Sequence, residues 1–177
     1  MFSVISRVSL FFMLLIHITA VSAATFDFVG YADGTRAAPE NNEGGYREFS
    51  VTEDNIELKA KGYILQNRKW NRVSAYLDHG NAGLAVCASG LTSSGQCKVS
   101  SDDSMSFKKM LWLSFDQVVS LNQVVFRNGK HGTSFMGKFK MTVFSEGSWS
   151  RWENYDLTHT LKIRETERSE VMIFSPQ

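Results

Sequence analysis

The chain lacks most of the marks by which a sequence declares an activity. It has no H-E-x-x-H pair, so no helix-borne zinc site is written into it. It has no glycine loop suited to cradling phosphates. Its nearest approach to a nucleophile elbow, Gly132-Thr133-Ser134-Phe135-Met136-Gly137, carries one residue too many and has no strand-to-helix setting. His79, His131 and His159 lie on separate segments. There is no internal repeat and no low-complexity tract. No window carries apolar residues at helical spacing with caps at both ends, which excludes a helical bundle. Charge of neither sign is in excess: 19 Lys+Arg face 18 Asp+Glu, a formal net charge of +1. That balance argues against nucleic acid or an anionic membrane as the main partner.

Long apolar runs are equally scarce beyond the N-terminus. Arg7 precedes VSLFFMLLIHITA, which is shorter than the roughly 20 residues that span a bilayer and is interrupted by His17. The small residues Val21-Ser22-Ala23 follow, and signal peptidase favours such a site. The expectation is a signal peptide over residues 1–23, cut between Ala23 and Ala24; an uncleaved anchor is the rival reading. Cleavage removes Arg7 alone of the 19 cations, leaving 18 against 18 acids. The remaining 24–177 is long enough for one domain with a real core, exported and without a transmembrane anchor.

What the chain does have is period-two alternation broken by turns. Ala24–Tyr31 alternates Phe26 and Phe28 about Asp27 and reads as a strand. Ala32–Gly45 is loop chemistry, with Pro39, Asn41-Asn42 and Gly44-Gly45. Tyr46–Thr52 and Ile56–Ile64 read as a hairpin about Glu53-Asp54-Asn55. Gln66–Asn71 is polar and basic, with Trp70 among the charges; Arg72–Leu77 and Leu84–Cys87 are strands about the Asp78–Gly83 loop. Met110–Asp116 places Leu111, Leu113 and Phe115 on one face and Trp112 on the other. Val118–Arg127 follows, with a pattern slip at Asn122-Gln123 that predicts a bulge. Lys138–Phe144, Leu157–Ile163 and a terminal strand holding Val171 and Ile173 complete the set, and Trp149 and Trp152 flank Arg151. The pattern predicts an all-β protein, a two-sheet antiparallel β-sandwich of jelly-roll type; a closed β-barrel is the alternative.

Cys87 and Cys97 are the only cysteines. An even count in an exported chain, with the small and flexible ASGLTSSGQ between, predicts a disulfide between them. Asp102-Asp103 is a candidate Ca²⁺ ligand pair, since calcium wants several oxygens, but no D-x-D-x-D-G spacing accompanies it and a solvated acidic turn is the plainer reading. No other cofactor is indicated. Trp112 is either a cover for a sheet face or a platform on which a sugar stacks. The loops Asp78–Gly83 and Asn128–Ser134 are glycine-rich, which lets backbone approach a ligand closely. His79, Asn81, Asn128 and His131 are candidates there to hydrogen-bond a sugar hydroxyl.

AYLDHGNAGLAVC (Ala75–Cys87), SGQCKVSSDD (Ser94–Asp103), LWLSFDQVVSLNQVVFRNGKHGTSF (Leu111–Phe135) and KFKMTV (Lys138–Val143) together resemble bacterial exported proteins that usually end in a PEP-CTERM sorting signal. The resemblance implies a Gram-negative surface or matrix protein associated with exopolysaccharide, and it carries no catalytic residues. The chain departs from that family near Ser175-Pro176-Gln177, where there is no Pro-Glu-Pro, apolar helix or basic tail, and exosortase sorting is therefore not part of the expectation. The expected function is a secreted, non-enzymatic surface or extracellular-matrix module, exopolysaccharide-associated or carbohydrate-binding. The alternative is a small secreted hydrolase of polysaccharide, with carboxylates drawn from Asp78, Asp102, Asp103 and Asp116.

Overall fold

The computed structural model describes residues 23–36, 43–99, 104–105, 108–127, 132, 137–145, 147–156, 158, 160–162 and 167–174. Two turns set the first sheet. β2 (Phe49–Glu53) and β3 (Ile56–Gln66) are joined at Asp54 and Asn55, with φ of 49° and 64°. β3 and β4 (Lys69–Asp78) are joined at Asn67 and Arg68, with φ of 50° and 62°. Two consecutive left-handed residues match the twist of the flanking strands and fix the hairpin register. The second turn extends into the basic stretch around Trp70, which sequence pattern assigns to no strand.

The front layer has β3 beside β6 (Lys109–Ser120), then β12 (Glu167–Phe174), β8 (Lys138–Ser145) and β10 (Glu153–Asp156), all antiparallel. The two-residue β9 (Ser148–Trp149) folds back on β8. β4 links the layers. Its first half pairs with β3, from Gly62↔Val73 to Gln66↔Lys69. Its second half pairs with β5 (Gly83–Cys87) and β1 (Gly44–Tyr46), which form the back layer. The crossing occurs at Gly62, where a Cβ would stand 2.6 Å from the Ser74 carbonyl oxygen. Only glycine lets the two backbones come so near. A small sheet of β7 (Gln123–Val125) and β11 (Thr160–Lys162) is separate, and Leu121, Val124, Phe126 and Leu161 pack from it and its flanks onto the core.

The core lies where the alternation places it. Phe49, Leu58, Leu77, Val86, Leu111, Leu113, Val171 and Ile173 are buried in one cluster. Burial of each such side chain contributes about 1.5–3 kcal/mol. The architecture is the antiparallel sandwich that the pattern predicts; the sheets do not close into a barrel.

Three local expectations are corrected. Ala24–Tyr31 is not a strand: Phe28–Ala32 forms a short helix, α1, because the Asp27 carboxylate accepts from the Gly30 amide and caps it. Tyr31 then becomes fully buried against Phe28 and Phe49. Gly44 and Gly45 belong to β1 and not to a loop. A Cβ on Gly45 would lie 2.3 Å from a Leu91 methyl, so here glycine serves close packing. The slip at Asn122-Gln123 is the end of one strand and the start of another in a different sheet, not a bulge. The register irregularity falls on β12 instead, between Arg168 and Glu170, opposite β6.

Cys87 and Cys97 are bonded, with an S–S distance of 2.05 Å. The loop they close lies against the back-layer edge. The Gly45 amide donates to the Gly95 carbonyl at 2.9 Å, and Tyr76 donates to Gln96 at 2.7 Å. The bond therefore ties an edge strand to the sheet as well as shortening the unfolded chain.

Candidate functional site

Alternation that points Leu111 and Leu113 inward must point Trp112 outward. On the outer face of the front layer Trp112 stands in register with Lys61 on one side and Met172 on the other, and Met172 stands beside Thr142. The next row brings Tyr63 beside Met110. These residues form the floor of a groove of about 420 Å³. Trp149 and Trp152 come from the segment that doubles back over β8, and Trp70 comes from the β3–β4 hairpin. All 4 tryptophans of the chain thus line one groove, with Tyr63. Its size falls within the range of about 300–1,000 Å³ usual for small-molecule sites.

The groove is held open by specific contacts. The Trp112 Nε1–H donates to Glu170 at 2.8 Å, which fixes the indole plane. Trp149 meets Trp112 edge-on at 6.0 Å between centroids and packs against Phe144 at 5.3 Å. Tyr63 lies 5.9 Å from Trp112 with the rings 32° apart, so the two present a nearly continuous aromatic surface. Thr142 donates to the Ser150 carbonyl at 2.7 Å and anchors the segment bearing Trp149 and Trp152. Trp70, Trp149 and Trp152 remain 38%, 37% and 43% exposed, unusual for residues that a core would absorb.

Beside β3 and β4 the rim is charged and self-paired. Glu48 meets Lys61 at 3.0 Å and Arg72 at 3.5 Å. The hydrogen bond from Lys61 holds the Glu48 carboxyl below its usual value. Beyond it, Ser50 and then Lys59 lower Glu57, and Glu57 in turn raises Lys59. Lys61 also sits 5.9 Å from the Trp112 ring centre, a cation on an aromatic face.

The loop candidates fall elsewhere. His79 and Asn81 lie between β4 and β5 in the back layer. The His79 side chain is exposed, with Nε2 3.8 Å from Asp33. The amides of Gly80 and Asn81 donate to the Asp33 carboxylate at 2.8 and 3.4 Å, so this loop is built around an internal carboxylate. Asn128 and His131 lie outside the described residues, as do Asp102 and Asp103. Among the described residues there is no group of three or more His, Cys, Asp or Glu placed to hold a metal. Asp116 accepts from the Glu57 amide at 3.0 Å and does not line the groove. Sequence reasoning singled out Trp112 but did not join it to Trp70, Trp149 and Trp152. Trp70 stands among charges and Trp149 and Trp152 flank Arg151, so their one shared signal is an aromatic ring beside basic residues.

Fold and site define an antiparallel β-sandwich with one disulfide and an aromatic groove on its outer face. Among the described residues no helix is long and apolar enough to cross a membrane. Compared with protein-family models, curated proteins and solved structures, the chain shows no match.

Proposed function

We propose that the protein is an exported, non-enzymatic module that binds a glycan chain in the tryptophan groove. The observation that carries this reading is the convergence of Tyr63, Trp70, Trp112, Trp149 and Trp152 on one open face. Pyranose rings have apolar C–H faces and polar edges. Flat aromatic surfaces take the faces, and hydroxyl-bearing side chains such as Thr142 and Ser150 lie beside them for the edges. The oxidised cysteine pair supports a life outside the cytoplasm, and the leader-like start and the resemblance to exported matrix proteins agree with it. Hydrolysis needs two carboxyls about 5–10 Å apart across the substrate. The carboxylates beside the groove, Glu170 and Glu48, are engaged by the Trp112 indole and by Lys61 and Arg72.

A glycan array probed with the protein tests the reading, followed by titration of any hit while tryptophan fluorescence is recorded. Sugar stacked on these indoles is expected to shift their emission on binding. An array with no hits, from a protein with a strand-rich circular dichroism spectrum, would refute the proposal.

A further inference from the structure

The groove's rim has a sign. Arg68 stands in the hairpin turn two residues before Trp70, and Arg72 stands two residues after it. Lys61 is in register with Trp112. Lys140 is in register with Phe174, which is itself in register with Met110 of the groove floor. Arg151 separates Ser150 from Trp152, both of which line the groove. Against these cations stand Glu48, shared between Lys61 and Arg72, and Glu170, bonded to the Trp112 indole. Arg68, Lys140 and Arg151 make no ion pair among the described residues. The chain as a whole carries a formal charge of only +1, so this positive excess is local to the aromatic face.

The geometry points to an anionic polysaccharide as the occupant, its sugar faces on the tryptophans and its carboxylates or sulfates on Arg68, Arg151 and Lys140. This rests on the glycan reading above. Arg68 and Arg151 flank the groove residues Trp70 and Trp152 in sequence, and a neutral chain would take only ordinary hydrogen bonds from their guanidinium groups. An anionic one gains charge-assisted hydrogen bonds there, and Arg presents the fork geometry that suits a carboxylate or sulfate. Single-stranded nucleic acid also combines stacking with negative charge, but it carries a phosphate at every nucleotide, and a chain of formal net charge +1 is poorly matched to it.

The test titrates the whole protein with polygalacturonate, its fully methyl-esterified form, dextran sulfate, dextran and oligothymidylate, at about 50 and 200 mM salt. Polygalacturonate is expected to bind about tenfold more tightly than its ester, the effect of a few exposed charge pairs. Added salt should weaken the acid and leave the ester unchanged. Preference for dextran sulfate over dextran supports the inference equally, and the stronger of the two acidic polymers assigns carboxylate or sulfate. The double variant Arg68→Gln, Arg151→Gln should lose most of the tenfold preference with the fold intact, since both side chains are exposed. Equal affinity for acid and ester, and for dextran sulfate and dextran, overturns the charge inference and leaves the glycan reading standing. Binding to none of the polysaccharides overturns both. Tighter binding to oligothymidylate than to either acidic polysaccharide overturns the inference in favour of nucleic acid.

Discussion

The two faces of the front sheet are made by the same strands and do opposite things. On β6, Leu111 and Leu113 point inward and are buried, while Trp112 between them points outward and lines a groove. On β12, Val171 and Ile173 are core and Met172 is groove floor. The inner face is closed, its leucines, valines and isoleucines packed with Phe49 and Phe139, and its composition follows from what a core needs. The outer face gathers the largest side chains available and leaves several of them more than a third exposed. A sheet face needing only cover would use smaller or charged residues, and this exposed aromatic surface is the ground of the glycan site proposed above.

That contrast is sharpest between neighbours. Leu113→Ala is expected to cost about 2–5 kcal/mol, because the cavity it leaves is walled by both layers. Urea unfolding should show a lowered midpoint with the slope unchanged. The same truncation at Trp112 should cost less stability, since it opens onto the groove and leaves no cavity between the layers.

The disulfide separates the layers in another way. Replacing Cys87 and Cys97 by Ser should cost about 2.5–3 kcal/mol through the unfolded chain. The loss belongs to the back layer, where Leu91, Gly95 and Gln96 hold β1. Thermal unfolding is expected to shift down while glycan affinity, measured well below the transition, stays within twofold. A parallel loss of affinity would mean that the back layer shapes the groove.

The smallest effect lies on the inner face. Tyr31 is fully buried and donates to Glu53, and burial first, then that carboxylate, holds its phenol well above the ordinary value. The unfolded chain ionises this group near pH 10. The stability contributed by keeping the phenol neutral is therefore complete below pH ~10 and is lost as pH rises towards the folded value. Tyr31→Phe should cost about 0.5–1.5 kcal/mol at neutral pH and flatten the alkaline fall in stability, both read from denaturant midpoints against pH.

Much of the inner face was legible in the sequence and little of the groove was. Alternation within one segment tells which residues share a face, so Leu111, Leu113 and Phe115 could be assigned inward and Trp112 outward from β6 alone. The disulfide followed from count and compartment. The groove depends instead on β6 lying between β3 and β12, and on β8 lying beyond β12. Those neighbours are distant in sequence, and no local pattern announces them. Trp70 was hidden among charges that mark a loop by composition, whereas the Asn67-Arg68 turn lets the strand resume at Lys69. The Asp27 cap shows the same limit: alternating Phe26 and Phe28 fit a strand, but burial of Tyr31 against Phe49 rewards a helical turn.

If the proposed site is right, the outer face binds and the inner face folds. The direct measurement is Trp112→Ala read twice on one sample, for denaturant stability and for affinity towards the tightest glycan. An affinity loss of tenfold or more is expected, equivalent to about 1.4 kcal/mol, with a smaller loss from folding than Leu113→Ala causes. Unchanged affinity in a folded Trp112→Ala protein, or a stability loss as large as that of Leu113→Ala, would contradict it.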